Sequence, residues 1–117
     1  MDKNIWVVDD DESIRWVLEK GLADSGMDVQ TFDSANKVIK KLETENPQLI
    51  LTDIRMPGPS GIDLLDKVKE LRPDIPVIIM TAHSDLDSAV ESYEHGAWEY
   101  LPKPFDIEEA VSMVQRA

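Results

Sequence analysis

Several apolar segments of this chain stop abruptly at a side chain that can do chemistry. Ile5-Trp6-Val7-Val8 runs straight into Asp9 and Asp10, and Leu49-Ile50-Leu51-Thr52 runs into Asp53. Val77-Ile78-Ile79-Met80 ends in Thr81, and Lys103 sits between two prolines just past the short segment from Trp98 to Leu101. Brought to one place, these residues amount to a cluster of carboxylates with a hydroxyl and one ammonium. Two like charges ~4 Å apart repel by roughly 4 kcal/mol at an effective dielectric near 20, so the cluster calls for a cation. Oxygen donors unaccompanied by cysteine or histidine favour Mg²⁺ or Mn²⁺ over zinc. Few protein donors and several retained waters suit Mg²⁺ acting beside a phosphate group. Asp11, next in the acidic run, is as readily the N-cap of a helix as a metal neighbour.

The elements that must position these residues alternate along the whole chain. After the first strand, Ile14, Val17, Leu18 and Leu22 recur at helical spacing, and Ser25-Gly26 closes that helix. Val29 to Phe32 reads as a less apolar, edge-like strand. Ser34 can cap a helix with Val38, Ile39 and Leu42 on its buried face. Past the Asp53 strand comes the turn-rich Met56-Pro57-Gly58-Pro59-Ser60-Gly61, then a helix carried by Ile62, Leu65, Val68 and Leu71. The Thr81 strand leads to a helix with Leu86, Ala89, Val90 and Tyr93 inward, ended by Gly96. A short strand from Trp98 to Leu101 follows, Pro102-Lys103-Pro104 turns the chain, and Asp106 with Glu109 suggests a capping box for a last helix using Ile107, Ala110, Val111 and Val114. Five strands alternating with five helices predict an α/β fold, a doubly wound parallel sheet covered on both faces. In such sheets the ligand site lies beyond the carboxyl ends of the strands, which is where the reactive side chains stand.

Composition narrows the classes. The chain has 117 residues, 42% apolar and 31% charged, with a formal charge of −12 and no cysteine. Thiol catalysis, disulfides and cysteine-based zinc sites are therefore excluded. The negative charge argues against direct nucleic-acid binding, which rests on Lys and Arg neutralising phosphates. No apolar run approaches the ~20 residues that span a bilayer, and the first residues lack the layout of a secretory signal. A cytoplasmic address, with no membrane partner, is the expectation.

Four motifs carry a resemblance over the full length. The strand ending in Asp9-Asp10, the segment Asp53-Ile54-Arg55-Met56-Pro57-Gly58, the triplet Met80-Thr81-Ala82, and Tyr100-Leu101-Pro102-Lys103-Pro104-Phe105 together resemble the receiver domains of two-component response regulators. A finer resemblance, to receivers of the nitrogen-regulation activators that work with the σ54 polymerase, lies in the stretches from Trp6 to Glu19 and from Met80 to Asp87. The resemblance implies a CheY-like, flavodoxin-like strand order of 2-1-3-4-5. It implies residues 1–117 as a single receiver domain, cut from a longer transcription activator that adds an ATPase and a DNA-binding domain.

The resemblance also assigns roles. Asp53 would be the phosphoacceptor, taking its phosphoryl group from a sensor histidine kinase or a small donor. Asp10 would bind the metal directly, Asp9 largely through water, and Asp53 and the backbone carbonyl of Arg55 would complete the protein ligands. Lys103 would meet a phosphoryl oxygen, and the Lys103–Pro104 bond is often cis in the family. Thr81 and Tyr100 would be the switch pair, reporting to the surface of the fourth helix and fifth strand. A receiver–receiver dimer on phosphorylation would follow, with no separate substrate turned over. Trp16 would be exposed where the family meets its kinase, and His83 would lie near the site mouth. Met56, Met80, Met113, Trp6 and Trp98 read as packing residues, and His83 and His95 lack metal-ligand spacing. Three rivals remain. A haloacid-dehalogenase-type phosphohydrolase wants a second Asp two positions after the nucleophile, where this chain has Arg55. A degenerate receiver acting as an interaction module typically loses an acidic ligand or the lysine, and none is missing here. A stand-alone phosphoryl shuttle is the third.

Overall fold

The structure, a computed structural model, describes residues 3–82 and 85–117. Strand β1 (Asn4–Val8) leads into α1 (Glu12–Asp24), β2 (Asp28–Phe32) into α2 (Ala35–Lys41), and β3 (Leu49–Asp53) into α3 (Gly61–Leu71). The alternation continues with β4 (Val77–Ala82), α4 (Leu86–Glu94), β5 (Glu99–Lys103) and α5 (Ile107–Arg116). All strand pairs are parallel, in the order β2-β1-β3-β4-β5.

The central strands are apolar on both faces because both faces are covered. Their alternation divides the core in two. Trp6, Val8, Ile50, Val77 and Ile79 pack with residues of α2 and α3 on one face. Ile5, Val7, Leu49, Leu51, Ile78 and Met80 pack with α1 and α5 on the other. Trp6 is fully buried, with its ring edge-to-face on Phe32 at a centroid distance of 5.3 Å. The sheet order places β1 and β3 side by side with their helices leaving on opposite faces, so a crevice opens at their carboxyl ends.

Several sequence expectations need correction. Val90 and Tyr93 do not face inward: they are 56% and 44% exposed, while among the described side chains Ala89 and Ser92 form the buried stripe of α4. A helix over β4 and the edge strand β5 has only a narrow strip of sheet beneath it, and the described side chains buried against it are small. Leu86 carries a side chain outside the described residues, as does His83 entirely. Val17 and Trp98 are also 39% and 41% exposed, against the expectation that both pack inward. Strand β5 runs through Pro102 to Lys103 rather than stopping at Leu101. An edge strand tolerates the proline because one side has no ladder to complete.

Helix starts differ from expectation as well. Ser34 and Asp106 occupy N-cap positions, yet neither side chain makes a capping hydrogen bond. The capping box belongs to α3: the Asp63 N–H donates to Ser60 Oγ at 3.1 Å, and the Ser60 N–H donates to Asp63 Oδ2 at 2.9 Å. Asp11 caps α1, accepting from the Ser13 and Ile14 N–H groups.

Candidate functional site

Each reactive side chain is delivered by the end of a strand. Asp9 and Asp10 follow β1, Asp53 is the last residue of β3, and Lys103 is the last residue of β5. Thr81 is the penultimate residue of β4. Carboxylate oxygens of Asp9, Asp10 and Asp53 all lie within 4.8 Å of one another. The Lys103 ammonium bridges two of them, donating to Asp9 Oδ2 at 2.9 Å and lying 3.4 Å from Asp53 Oδ1. The peptide bond from Lys103 to Pro104 is cis.

Asp9 is fully buried and engaged on every side. Its N–H donates to the Phe32 carbonyl at 3.1 Å, and its Oδ1 accepts the Asp11 N–H at 2.9 Å. Asp53 is nearly buried, and its Oδ1 also accepts the Ile54 N–H at 3.0 Å. Its Oδ2 is thereby left as the oxygen with no hydrogen-bond partner among the described residues. Asp10 is exposed at the rim of this cluster. Gly61 lies directly under this corner: a Cβ there would fall 2.3 Å from the Asp53 carbonyl oxygen and 2.8 Å from Ile54 Cα.

The charges are unbalanced. Burial raises the Asp53 pKa above the ordinary carboxylate value and the Asp9 charge raises it further, against the opposing pull of Lys103. For Lys103, burial alone would lower the pKa, but the hydrogen bond and charge of Asp9, joined by Asp53, outweigh it and the net shift is upward. An ion pair would ordinarily lower its acid and raise its base. At Asp53 burial, then the Asp9 charge, outweigh the ammonium, so this acid is raised although Lys103 stands beside it. This excess negative charge, on oxygen donors alone, fits a hard divalent cation such as Mg²⁺. Thr81 adds a second sign of incompleteness, since its Oγ1 is buried without a hydrogen-bond partner among the described residues, where buried hydroxyls are normally satisfied.

Residues expected at the periphery take definite places. Tyr100 is half-buried at β5 and packs edge-to-face on Tyr93 at 5.7 Å. Burial, then the neighbouring Glu99 carboxylate, pushes the Tyr93 hydroxyl pKa up to about 12. Trp16 is 62% exposed on α1. His95 pairs with Asp66 of α3 and lies far from the carboxylate cluster in the fold, at the opposite end of α4. Sequence reasoning missed Arg15, whose Nη1 donates to the Asp9 carbonyl at 2.7 Å. A cation in the first turn of a helix, against the macrodipole, was the available signal. It also missed Asp85, which caps α4 through the Ser88 N–H and pairs with Arg55 at 2.9 Å.

A five-stranded parallel sheet in this order, with this acidic corner, defines a CheY-like receiver. The model of the family described as "Response regulator receiver domain" matches residues 5–115. The DNA-binding transcriptional regulator NtrC of Salmonella typhimurium is 58% identical over 113 residues, which is 97% of this chain and 24% of that protein. The NtrC of Azospirillum brasilense is 45% identical over 97% of this chain and 24% of its own length. Among solved structures, the BeF3-activated receiver domain of Nitrogen Regulatory Protein C superposes with a TM-score of 0.85 at 56% identity, covering 100% of this chain and 94% of that one. NtrX from Brucella abortus in complex with ADP gives a TM-score of 0.93 at 30% identity, covering 99% of this chain and 27% of that one. The chain belongs to the response regulator receiver domain family and is homologous to the receiver domains of NtrC. It spans about a quarter of the length of the curated relatives it matches. Among the described residues, no helix is long and apolar enough to cross a membrane.

Proposed function

We propose that Asp53 is the phosphoacceptor of this receiver and that residues 1–117 form one switch domain of a longer, NtrC-like transcription activator. The observation that carries this reading is the convergence of Asp9, Asp10 and Asp53 oxygens within 4.8 Å around a single Lys103 ammonium. Asp10, Asp9, Asp53 and the carbonyl of Arg55 would hold Mg²⁺ or Mn²⁺. The cation, when bound, supplies neutralisation of the charge that gathers on the transferring phosphoryl oxygens.

The chain's own residues supply position. Asp53 Oδ1 is held by the Ile54 N–H and faces Lys103, so Oδ2 is the nucleophile. It attacks phosphorus, the bond from phosphorus to the donor's leaving group breaks, and the leaving group departs with the electron pair. The Lys103 ammonium meets a phosphoryl oxygen as a point charge. The orphaned Thr81 hydroxyl then gains a partner in that phosphoryl group, and Tyr100 follows the space Thr81 leaves. The modification adds nearly two negative charges and three acceptors, and α4 with β5 is the element it biases. Carrying that element from a 1:99 to a 99:1 population takes ~5.5 kcal/mol of differential stabilisation.

A sensor histidine kinase is the expected donor, a second receiver the expected partner after phosphorylation, and the cytoplasm the expected location. ATPase and DNA-binding domains would belong to the full-length protein, and the receiver itself would contact neither nucleic acid nor membrane. It turns over no substrate besides its own phosphoryl group. Intact mass after incubation with acetyl phosphate tests the reading, with and without Mg²⁺ and beside Asp53→Asn. The expected result is one added phosphoryl group, dependent on Mg²⁺ and absent from the variant. A folded protein that gains no mass at any Mg²⁺ concentration would instead be a degenerate interaction module.

A further inference from the structure

We infer that Arg15 is a positioning residue that aims Asp10 at the cation site by fixing the peptide plane between Asp9 and Asp10. The inference rests on the reading of Asp9, Asp10 and Asp53 as a cation site. It concerns a residue that touches none of those carboxylates.

Asp9 and Asp10 differ sharply in how they are held. Every polar group of Asp9 has a partner: β2 takes its N–H, the Asp11 N–H and Lys103 take its carboxylate oxygens, and Arg15 Nη1 donates to its carbonyl at 2.7 Å. Asp10 is exposed at the rim. Two nearby carboxylates repel its side chain, so an unrestrained Asp10 swings toward water and away from the cluster. Its direction is set from behind. The peptide joining Asp9 to Asp10 is planar, so the oxygen held by Arg15 fixes the orientation of that plane and hence the place from which the Asp10 side chain departs. A guanidinium-to-carbonyl hydrogen bond is charge-assisted and short.

The location of Arg15 supports a role of this kind. In the first turn of α1 it opposes the helix dipole, an unfavourable place for a cation. The side chain reaches back from α1 to the end of β1, where it meets the Asp9 carbonyl, and its charge is felt at Asp33 just past β2. Lys37 is the main cause of the lowered Asp33 pKa, and Arg15 adds to it.

Two accounts of Arg15 predict opposite signs. A cation near a metal site, acting only through its charge, weakens metal binding, so its removal tightens it. A positioning residue strengthens binding, so its removal weakens it. The test is a Mg²⁺ titration of the unphosphorylated protein, followed by the amide resonances of Asp10 and Ile54, in wild type, Arg15→Ala and Arg15→Lys. Urea midpoints without Mg²⁺ are measured in parallel. The expected result is a Mg²⁺ midpoint raised roughly 3- to 10-fold in Arg15→Ala, within the reach of one charge-assisted hydrogen bond, with Arg15→Lys between it and wild type. An Arg15→Ala midpoint equal to or below that of wild type overturns the inference while leaving the cation site intact. A lowered urea midpoint with unchanged Mg²⁺ affinity also overturns it, because Arg15 is then only structural. A wild type that does not respond to Mg²⁺ overturns the site reading and this inference with it.

Discussion

Replacing Lys103 with Met removes the one cation that the buried carboxylates share, and the consequence can be worked from distances. At 2.9 Å from Asp9 Oδ2 and 3.4 Å from Asp53 Oδ1, each attraction is roughly 5–6 kcal/mol at an effective dielectric near 20. Much of that is cancelled by the cost of desolvating the ammonium, whose side chain remains 25% exposed. Removing one partner of a buried pair costs about 3–5 kcal/mol, and partial exposure lowers the expectation to about 2–4 kcal/mol in Mg²⁺-free buffer at pH 7. For a domain of this size that lowers Tm by roughly 8–16 °C. Two rescues identify the cause. Mg²⁺ should stabilise Lys103→Met more than it stabilises wild type, since a competing cation is gone and metal that binds only the folded state adds stability. Acid should also rescue: the Asp53 pKa is raised, so its protonation as pH falls through that value removes one of the opposed charges. Urea unfolding of both proteins, with and without Mg²⁺ and across pH 4–7, supplies the measurement. A variant as stable as wild type at pH 7, or one that Mg²⁺ stabilises no more than wild type, would refute the argument.

Three further outcomes are expected. Gly61→Ala sets a methyl group against the backbone of Asp53 and Ile54; thermal unfolding should reveal a loss of roughly 3 kcal/mol, the upper part of the range for overpacking, and unaltered stability would contradict the close approach. Thr81→Val replaces a buried, unpartnered hydroxyl with a methyl of the same shape. The fold should keep its stability or gain up to about 1 kcal/mol, and phosphorylation should still occur while the amide shift response of α4 and β5 shrinks; a clear destabilisation would mean the hydroxyl is satisfied. The His95 pKa is raised, chiefly by its hydrogen bond to Asp66, with Glu91 and Glu94 adding to it. That stabilisation is full below the ordinary histidine value near 6.5 and lost as pH rises through the higher folded value. The urea midpoint of wild type should therefore fall from pH 6 to 9 relative to that of His95→Gln, and parallel curves would dismiss the pair.

The sheet was legible because its central strands are covered twice and so are written as unbroken apolar runs, each stopped by a reactive residue. Strand order was not carried by those runs; it came from the resemblance of the motifs. Around α4 the pattern misled. Val90 and Tyr93 have the right spacing for a buried face, but so do Ala89 and Ser92, and the choice depends on how much sheet lies beneath the helix. Beyond the phosphoryl contact expected of it, Lys103 pairs with both buried carboxylates, more closely with Asp9 than with Asp53. No spacing rule predicts which of two carboxylates an ammonium prefers. Arg15 was invisible for a different reason: its partner is a backbone carbonyl, and every residue has one. The capping box of α3 was passed over because Asp63 is shorter than the Glu or Gln usually sought at that position.

The thin attachment of α4 has a mechanical consequence. Among the described residues its underside is Ala89 and Ser92, and the Ser92 hydroxyl is satisfied within the helix by the Ser88 carbonyl at 2.8 Å. A buried polar group that brings its own acceptor travels with the helix, so rolling or sliding strands no donor. Among the described side chains the apolar surface that must part is small: Val90 is mostly in water, and Tyr93 meets the sheet through its edge-to-face contact with Tyr100 of β5. By its described side chains, helix α4 rests on the sheet like a bearing, with less apolar surface to part than α1 or α3, whose leucines are keyed into the core.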